Sequence, residues 1–268
     1  GKVNKEWAEG SYAGKVYDRT SGVELTAVFG ASPTSAQRTT TGVYDHTYAV
    51  ANNNSHASLT IGYKEGNDDL RYAMGMVKSY AFEAVRDNYV RRTIEFLSKK
   101  QASASNTVSY IDENEFLPKH VSVKLASALS GLDAASAIEV TAVNLEINKN
   151  VDPAWILGAN EPDDIHNRSF VVTGSIEFYY EDQTIRDYAL AGTNRAIRID
   201  VVSDTVIGTS GSHTPAIRFD IAKAVFTENS RTNDNNDVMK NTINFEAVYS
   251  IADTSLITAR LTNAVASF

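Results

Sequence analysis

SFVVTGSIEFYYEDQTIRDYALAG, residues 169–192, alternates apolar and polar side chains and then changes period. Phe170, Val172, Gly174, Ile176, Phe178 and Tyr180 share one face, while Val171, Thr173, Ser175, Glu177 and Tyr179 share the other. Successive side chains of a strand point to opposite sides, so the spacing predicts a half-buried strand, with Gly174 marking a bend or close approach. After Tyr180 the period lengthens. Ile185, Tyr188 and Ala189 stand at i, i+3 and i+4, Asp182 is placed to cap the first turn, and Gly192 falls where a helix ends. The segment therefore predicts a long strand running into a short helix.

The same alternation recurs at Ile197, Ile199 and Val201, at Ile217, Phe219 and Ile221, and from Ile243 through Phe245, Ala247 and Tyr249 to Ile251. Between Ile138 and Asn148 the phase slips, which predicts a β-bulge near Ala142. From Tyr80 to Lys100 the pattern suits either one helix or two strands turning at Asp87-Asn88. The many β-branched and aromatic residues favour the hairpin. Polar loops are expected at Thr34–Thr41, Ala51–His56, Gly66–Asp69, Gly208–His213 and Thr227–Asp237. Gly22 reads as a turn between two apolar-containing runs. No internal repeat or proline-rich linker divides the chain. The fold class expected is mainly β: an antiparallel β-sandwich with a flanking short α-helix.

The 268 residues suffice for a sizeable core, and 43% hydrophobic with 22% charged residues is ordinary for a globular chain. Thirty-three acidic against 25 basic side chains leave a formal net charge of −8. That disfavours wrapping nucleic acid, but does not disfavour a surface that DNA must pass without sticking. With no cysteine, disulfides, thiolate metal sites and cysteine nucleophiles are excluded. No apolar run reaches the roughly 18 residues of a membrane span, and GKVNKEWAEG lacks a signal peptide's apolar core, which predicts a soluble protein.

Motifs for catalysis are missing. There is no dinucleotide fingerprint, no GxxxxGK, no GxSxG and no HExxH. Glu161-Pro-Asp163-Asp164-Ile-His166 offers carboxylates and an imidazole for a divalent ion, but a solvated acidic loop has the same composition and is the plainer reading. Asn233–Asp237 lacks the glycine and distal glutamate of a calcium loop and reads as a polar turn. Glu177 with Asp182, or Asp112 with Glu115, would need burial to act as an acid–base pair, and the sequence shows none. No enzyme activity, cofactor or metal is expected. Among the aromatics, Tyr180 is assigned to the core, and Tyr179 and Tyr188 to an inter-subunit patch or sugar-stacking platform. Trp155, in Asp152-Pro-Ala-Trp155-Ile-Leu157, is either a contact residue or docked on its own sheet.

The C-terminal order VTAVNLEINKNVDPAWILGANEPDDIHNRSFVVTGSIEFYYED, a short helix, then AIRIDVV, AIRFDIAKAVF and NTINFEAVYSIAD resembles the major tail tube proteins of long-tailed bacteriophages. KSYAFEAVRDNYVRRTIEFLSKK (Lys78 to Lys100) resembles the paired strands before that family's central loop. The resemblance implies a tail tube β-sandwich domain over residues 43–268, with residues 1–42 as an N-terminal arm or extended hairpin. It further implies self-association into rings, hexameric as a rule, whose strands join in an inter-subunit β-barrel. Stacked rings form a tube through which DNA passes, other tail proteins cap the ends, and no membrane takes part. A virion tail location follows, after synthesis in the bacterial host cytoplasm. Trp155, Tyr179 and Tyr188 are the candidate assembly contacts, and the lumen-facing residues stay unassigned. The alternative is a β-sandwich binding module for a cell-surface glycan or receptor. A metal-dependent hydrolase using Asp163, Asp164 and His166 is the weakest reading.

Overall fold

The computed structural model describes residues 4–39, 41–53, 55–180, 183–209, 211–232 and 238–268. In chain order come β1 (Ala8–Lys15), α1 (Thr20–Phe29), β2 (Thr34–Gln37), β3 (Tyr44–Ala49), β4 (Leu59–Glu65) and β5 (Asp68–Val85). Then follow β6 (Arg91–Ser98), β7 (Gln101–Ser103), β8 (Val121–Ala126), β9 (Ala137–Ile138) and β10 (Ala142–Asn148). β11 (Asp152–Ala154), β12 (Asp164–His166), β13 (Val171–Tyr179) and α2 (Thr184–Leu190) come next. β14 (Arg195–Val202), β15 (Ala216–Thr232), β16 (Lys240–Ala247) and β17 (Ile257–Asn263) complete the order.

All strand pairings among the described residues are antiparallel, and two layers share one long strand. The first layer runs β1-β6-β5-β10-β13-β16 to the C-terminal half of β15; the second runs β2-β3-β17 to its N-terminal half, then β14-β8-β9. β15 switches neighbours at Ala222–Ala224: up to Ile221 it carries β17, and from Ala224 it carries β16. The inner faces meet where Phe82 and Tyr80 of β5 approach Phe219 of β15, with ring centroids 5.5 and 6.4 Å apart. Around them Val143, Leu145, Ile147, Val172, Ile176, Ile199, Ile217 and Ile243 form one continuous buried core. The mainly β sandwich expected from the sequence is what forms.

β13 follows its sequence pattern. Val172, Ile176 and Phe178 are buried, and the glycine among them is required: a Cβ on Gly174 would lie 2.4 Å from the Phe245 ring and 2.4 Å from the Asn144 carbonyl. The Tyr80–Lys100 stretch is the expected hairpin, β5 pairing with β6. α2 turns Ile185, Tyr188 and Ala189 onto the core and ends at Leu190, two residues before Gly192, whose φ is 62°. Asp182, expected as its cap, lies outside the described residues.

Four readings are corrected. No bulge sits at Ala142; the phase slips because β9 pairs with β8 in one layer and β10 starts at Ala142 in the other. Gly22 is not a hairpin turn but lies within α1, where the Phe268 ring packs on it and a Cβ would stand only 2.1 Å away. β16 ends at Ala247, leaving Tyr249 and Ile251 51% and 87% exposed in the following turn. The expected loops at Thr34 and Thr227 are partly strand, β2 and the last residues of β15. α1 escaped the sequence reading because Gly22 and the β-branched Val23, Thr26 and Val28 are poor helix formers. Burial of Leu25, Ala27, Val28 and Phe29 overrides that preference, and Gly30 at φ 85° closes the helix.

Candidate functional site

Inward-pointing residues of the first layer fill the core, so the alternate residues must form its outer face. Cross-strand register lays these out in rows. One row reads Glu83, Asn144, Ser175, Asn244; the next reads Ala81, Glu146, Thr173, Glu246. The side chains are small, polar or acidic, and they enclose a shallow concavity of about 540 Å³. Glu177 is engaged, accepting hydrogen bonds from Thr141 and, at 3.1 Å, from Lys240. Burial works to raise its pKa, but those two donors outweigh burial and hold the carboxyl below the usual range. Glu83, Glu95, Glu146 and Glu246 form no ion pair among the described residues. In register Arg91 of β6 stands opposite Glu83, so the carboxylates without a basic neighbour across the strands include Glu146 and Glu246, and the face is acidic on balance.

The second layer's outer face is built oppositely. Arg198 bridges Asp133 and Asp220, Arg218 reaches Asp200 at 3.0 Å, and Arg38 and Arg260 converge on Asp45 at 2.8 and 2.9 Å. Burial would raise the Asp45 pKa, yet Arg38, Thr262 and Arg260 together keep it low. Carboxylates here are matched by guanidinium groups that their strand neighbours supply. One side of the sandwich is charge-neutralised and the other is open and acidic.

The acidic layer also has unfinished margins. β1 pairs with β6 on one side and with no strand on the other, among the described residues. Beyond Ala224, β15 carries β16 on one side and no described strand on the other. Unpaired backbone donors and acceptors at sheet edges invite strands from further chains.

A family model described as phage tail tube protein matches residues 1–247. The chain belongs to that family. No curated protein matches it. The match takes in the first 42 residues, which the resemblance in strand order had left outside, and ends with β16, before β17. As a phage tail tube protein it is a structural component of the virion tail, built to assemble with copies of itself and with other tail proteins.

The sequence's candidate contacts are scattered around this tail tube fold. Trp155 is half-buried in the β11–β12 loop, edge-on to Trp7 at 5.8 Å, with the Lys5 ammonium 4.6 Å from its ring. Tyr179 sits at the end of β13 on the acidic face, 6.0 Å from the Lys240 ammonium. Tyr188 lies on α2 with the Arg195 guanidinium stacked 3.9 Å above it. Tyr180, expected in the core, is half-buried under Arg231, 4.0 Å away. Of the acidic run, Asp164 and His166 face each other on β12 at 3.4 Å, while Glu161 turns to Lys100 at 3.4 Å. Among the described residues no three histidine or carboxylate side chains gather as a ligand set. Asn233–Asp237 lie outside the described residues. Glu115 pairs with Lys15 at 2.7 Å rather than with Asp112. Sequence reading missed the acidic rows because they need strand register; only the alternation at Glu177 hinted at them.

Proposed function

We propose that copies of this chain close into rings, hexameric in keeping with the family resemblance, and that the rings stack into a tube for passage of the phage genome. The open β1 edge of one copy meets the open β15 edge of its neighbour, so that the first layers join into one barrel. The outer face of that layer becomes the channel wall, with Glu83, Glu146 and Glu246 towards the lumen. The reading rests above all on one feature: a face acidic on balance, bounded by two unpaired strand edges. Matching edges of one surface to different edges of the next gives a heterologous contact, which closes when the rotation permits. A phosphate backbone meets like charge on such a wall and slides rather than sticks. The second layer, with its charges already matched, faces outward.

The test is charge inversion. Tubes of Glu83→Lys/Glu146→Lys/Glu246→Lys are expected to retain duplex DNA at low salt and release it as salt rises, whereas unaltered tubes retain none. Equal retention by both would remove these glutamates from the channel wall.

A further inference from the structure

The ion pairs on the second layer's outer face are unevenly shared. Arg198 takes two carboxylates, Asp133 and Asp220. That leaves Arg38, Arg218 and Arg260 with only Asp45 and Asp200 between them, among the described residues. This group therefore carries one positive charge in surplus, on a chain whose net charge is −8. Register adds to the crowding, because Arg218 of β15 stands directly opposite Arg260 of β17. Like charges in that position destabilise a sheet.

The two guanidinium groups are drawn apart. Arg218 turns to Asp200 on β14, at 3.0 Å, and Arg260 turns to Asp45 on β3, at 2.9 Å. A cavity of about 180 Å³ is lined by both, together with Arg38, Asp200, Thr214 and Thr262. Ala216, opposite Thr262 in register, adds a wall without bulk. Arg38 comes from just beyond β2 and uses Nε on Asp45 and Nη2 on the Thr262 hydroxyl, at 3.4 Å. Arg218 uses Nε and Nη2 on Asp200, and Arg260 uses Nη2 on Asp45. The Nη1 group of all three arginines has no hydrogen-bond partner among the described residues. Three cationic donors with spare N–H groups thus border one small cavity that a single carboxylate lines.

We propose that this cavity is a binding site for a small tetrahedral oxyanion of the phosphate class. Three guanidinium groups, each held in place by a carboxylate, suit the several oxygens of such an ion, whereas a carboxylate ligand presents one edge to one fork. The ion takes up the surplus positive charge, lies between Arg218 and Arg260, and ties the end of β2 to β15 and β17. β2 gains most from such a tie, since it has four residues, is exposed along its length and pairs with β3 alone among the described strands. The volume suits one phosphoryl group, and anything attached to it lies outside the mouth. The site belongs to the single chain and does not depend on ring formation.

Titration calorimetry of the purified chain with sodium phosphate, at an ionic strength held constant with chloride, is expected to show one saturable site per chain. The same additions should raise the melting temperature, and chloride alone should not. Arg218→Gln/Arg260→Gln is expected to weaken binding about tenfold or more, the effect of losing charge-assisted hydrogen bonds. Ala216→Leu fills the cavity without touching a charge, and should abolish binding while the circular dichroism of the fold stays unchanged. Glycerol phosphate separates two sources of the ligand. Binding equal to that of inorganic phosphate assigns a phosphoryl group on a larger molecule, and its exclusion assigns the free ion. No saturable heat with either phosphate, a melting shift that chloride reproduces, or binding that survives both the arginine changes and Ala216→Leu would overturn the site.

Discussion

Lys149 is 1% exposed and has no carboxylate partner among the described residues; its ammonium donates to the Ala27 carbonyl at 2.8 Å and lies 3.7 Å from the Met76 sulfur. Ala27 is in the last turn of α1, where the helix terminus favours a cation. Burial nevertheless lowers the Lys149 pKa to about 7. His56 nearby is held below its ordinary value by burial and then by the Lys149 charge, so it stays neutral above pH 7. The folded protein thus binds this lysine's proton more weakly than the unfolded chain does. Stability should rise with pH from 7 towards the unfolded lysine's range and fall as pH drops through it. The rise between pH 7 and 9 is expected to be about 2 kcal/mol. Denaturant unfolding of Lys149→Met should lose that rise, and an unchanged slope would assign it to other groups. The sequence placed Lys149 on the same parity as the buried Val143, Leu145 and Ile147, but not its partner, which is 122 positions away. Trp155 shows the same limit: its loop was legible, and Trp7, its neighbour, was not.

Elements with strong alternation and local turns were legible, and β13 is the clearest. Ile176 is 2% exposed and faces the opposite layer. Ile176→Asp should leave no soluble folded chain, because an unpaired buried charge costs several kcal/mol. Recovery of this variant in tubes at normal yield would mean that the face is wrongly assigned. The β5–β6 hairpin was readable for the same reason, its turn and both strands being contiguous. What failed lies at the joins between layers. The shift from β9 to β10 looks in one dimension like a bulge, since both break the two-residue period. α1 depends on packing from residues as distant as Tyr48, whose hydroxyl donates to the Gly22 carbonyl at 3.1 Å, and Phe268. Propensity carries no trace of such contacts.

At the scale of the whole molecule, composition stated a net charge of −8 but not its distribution. The register of β5, β10, β13 and β16 concentrates unpaired glutamate on one outer face, and the arginine–aspartate pairs of β14, β15, β17 and β3 neutralise the other. That asymmetry is what makes the orientation of the subunit in a tube predictable, and it comes from pairing between strands far apart in sequence. The open margins at β1 and β15 likewise belong to the sheet order and to no single segment. In the proposed ring, neighbouring copies complete the first layer at both margins. The decisive measurement is a cryo-electron microscopy reconstruction of the assembled particle. It should show β1 of one subunit hydrogen-bonded along β15 of the next, with Glu83, Glu146 and Glu246 on the wall of a central channel. A particle in which both edges remain unpaired, or in which those glutamates face outward, would contradict the account.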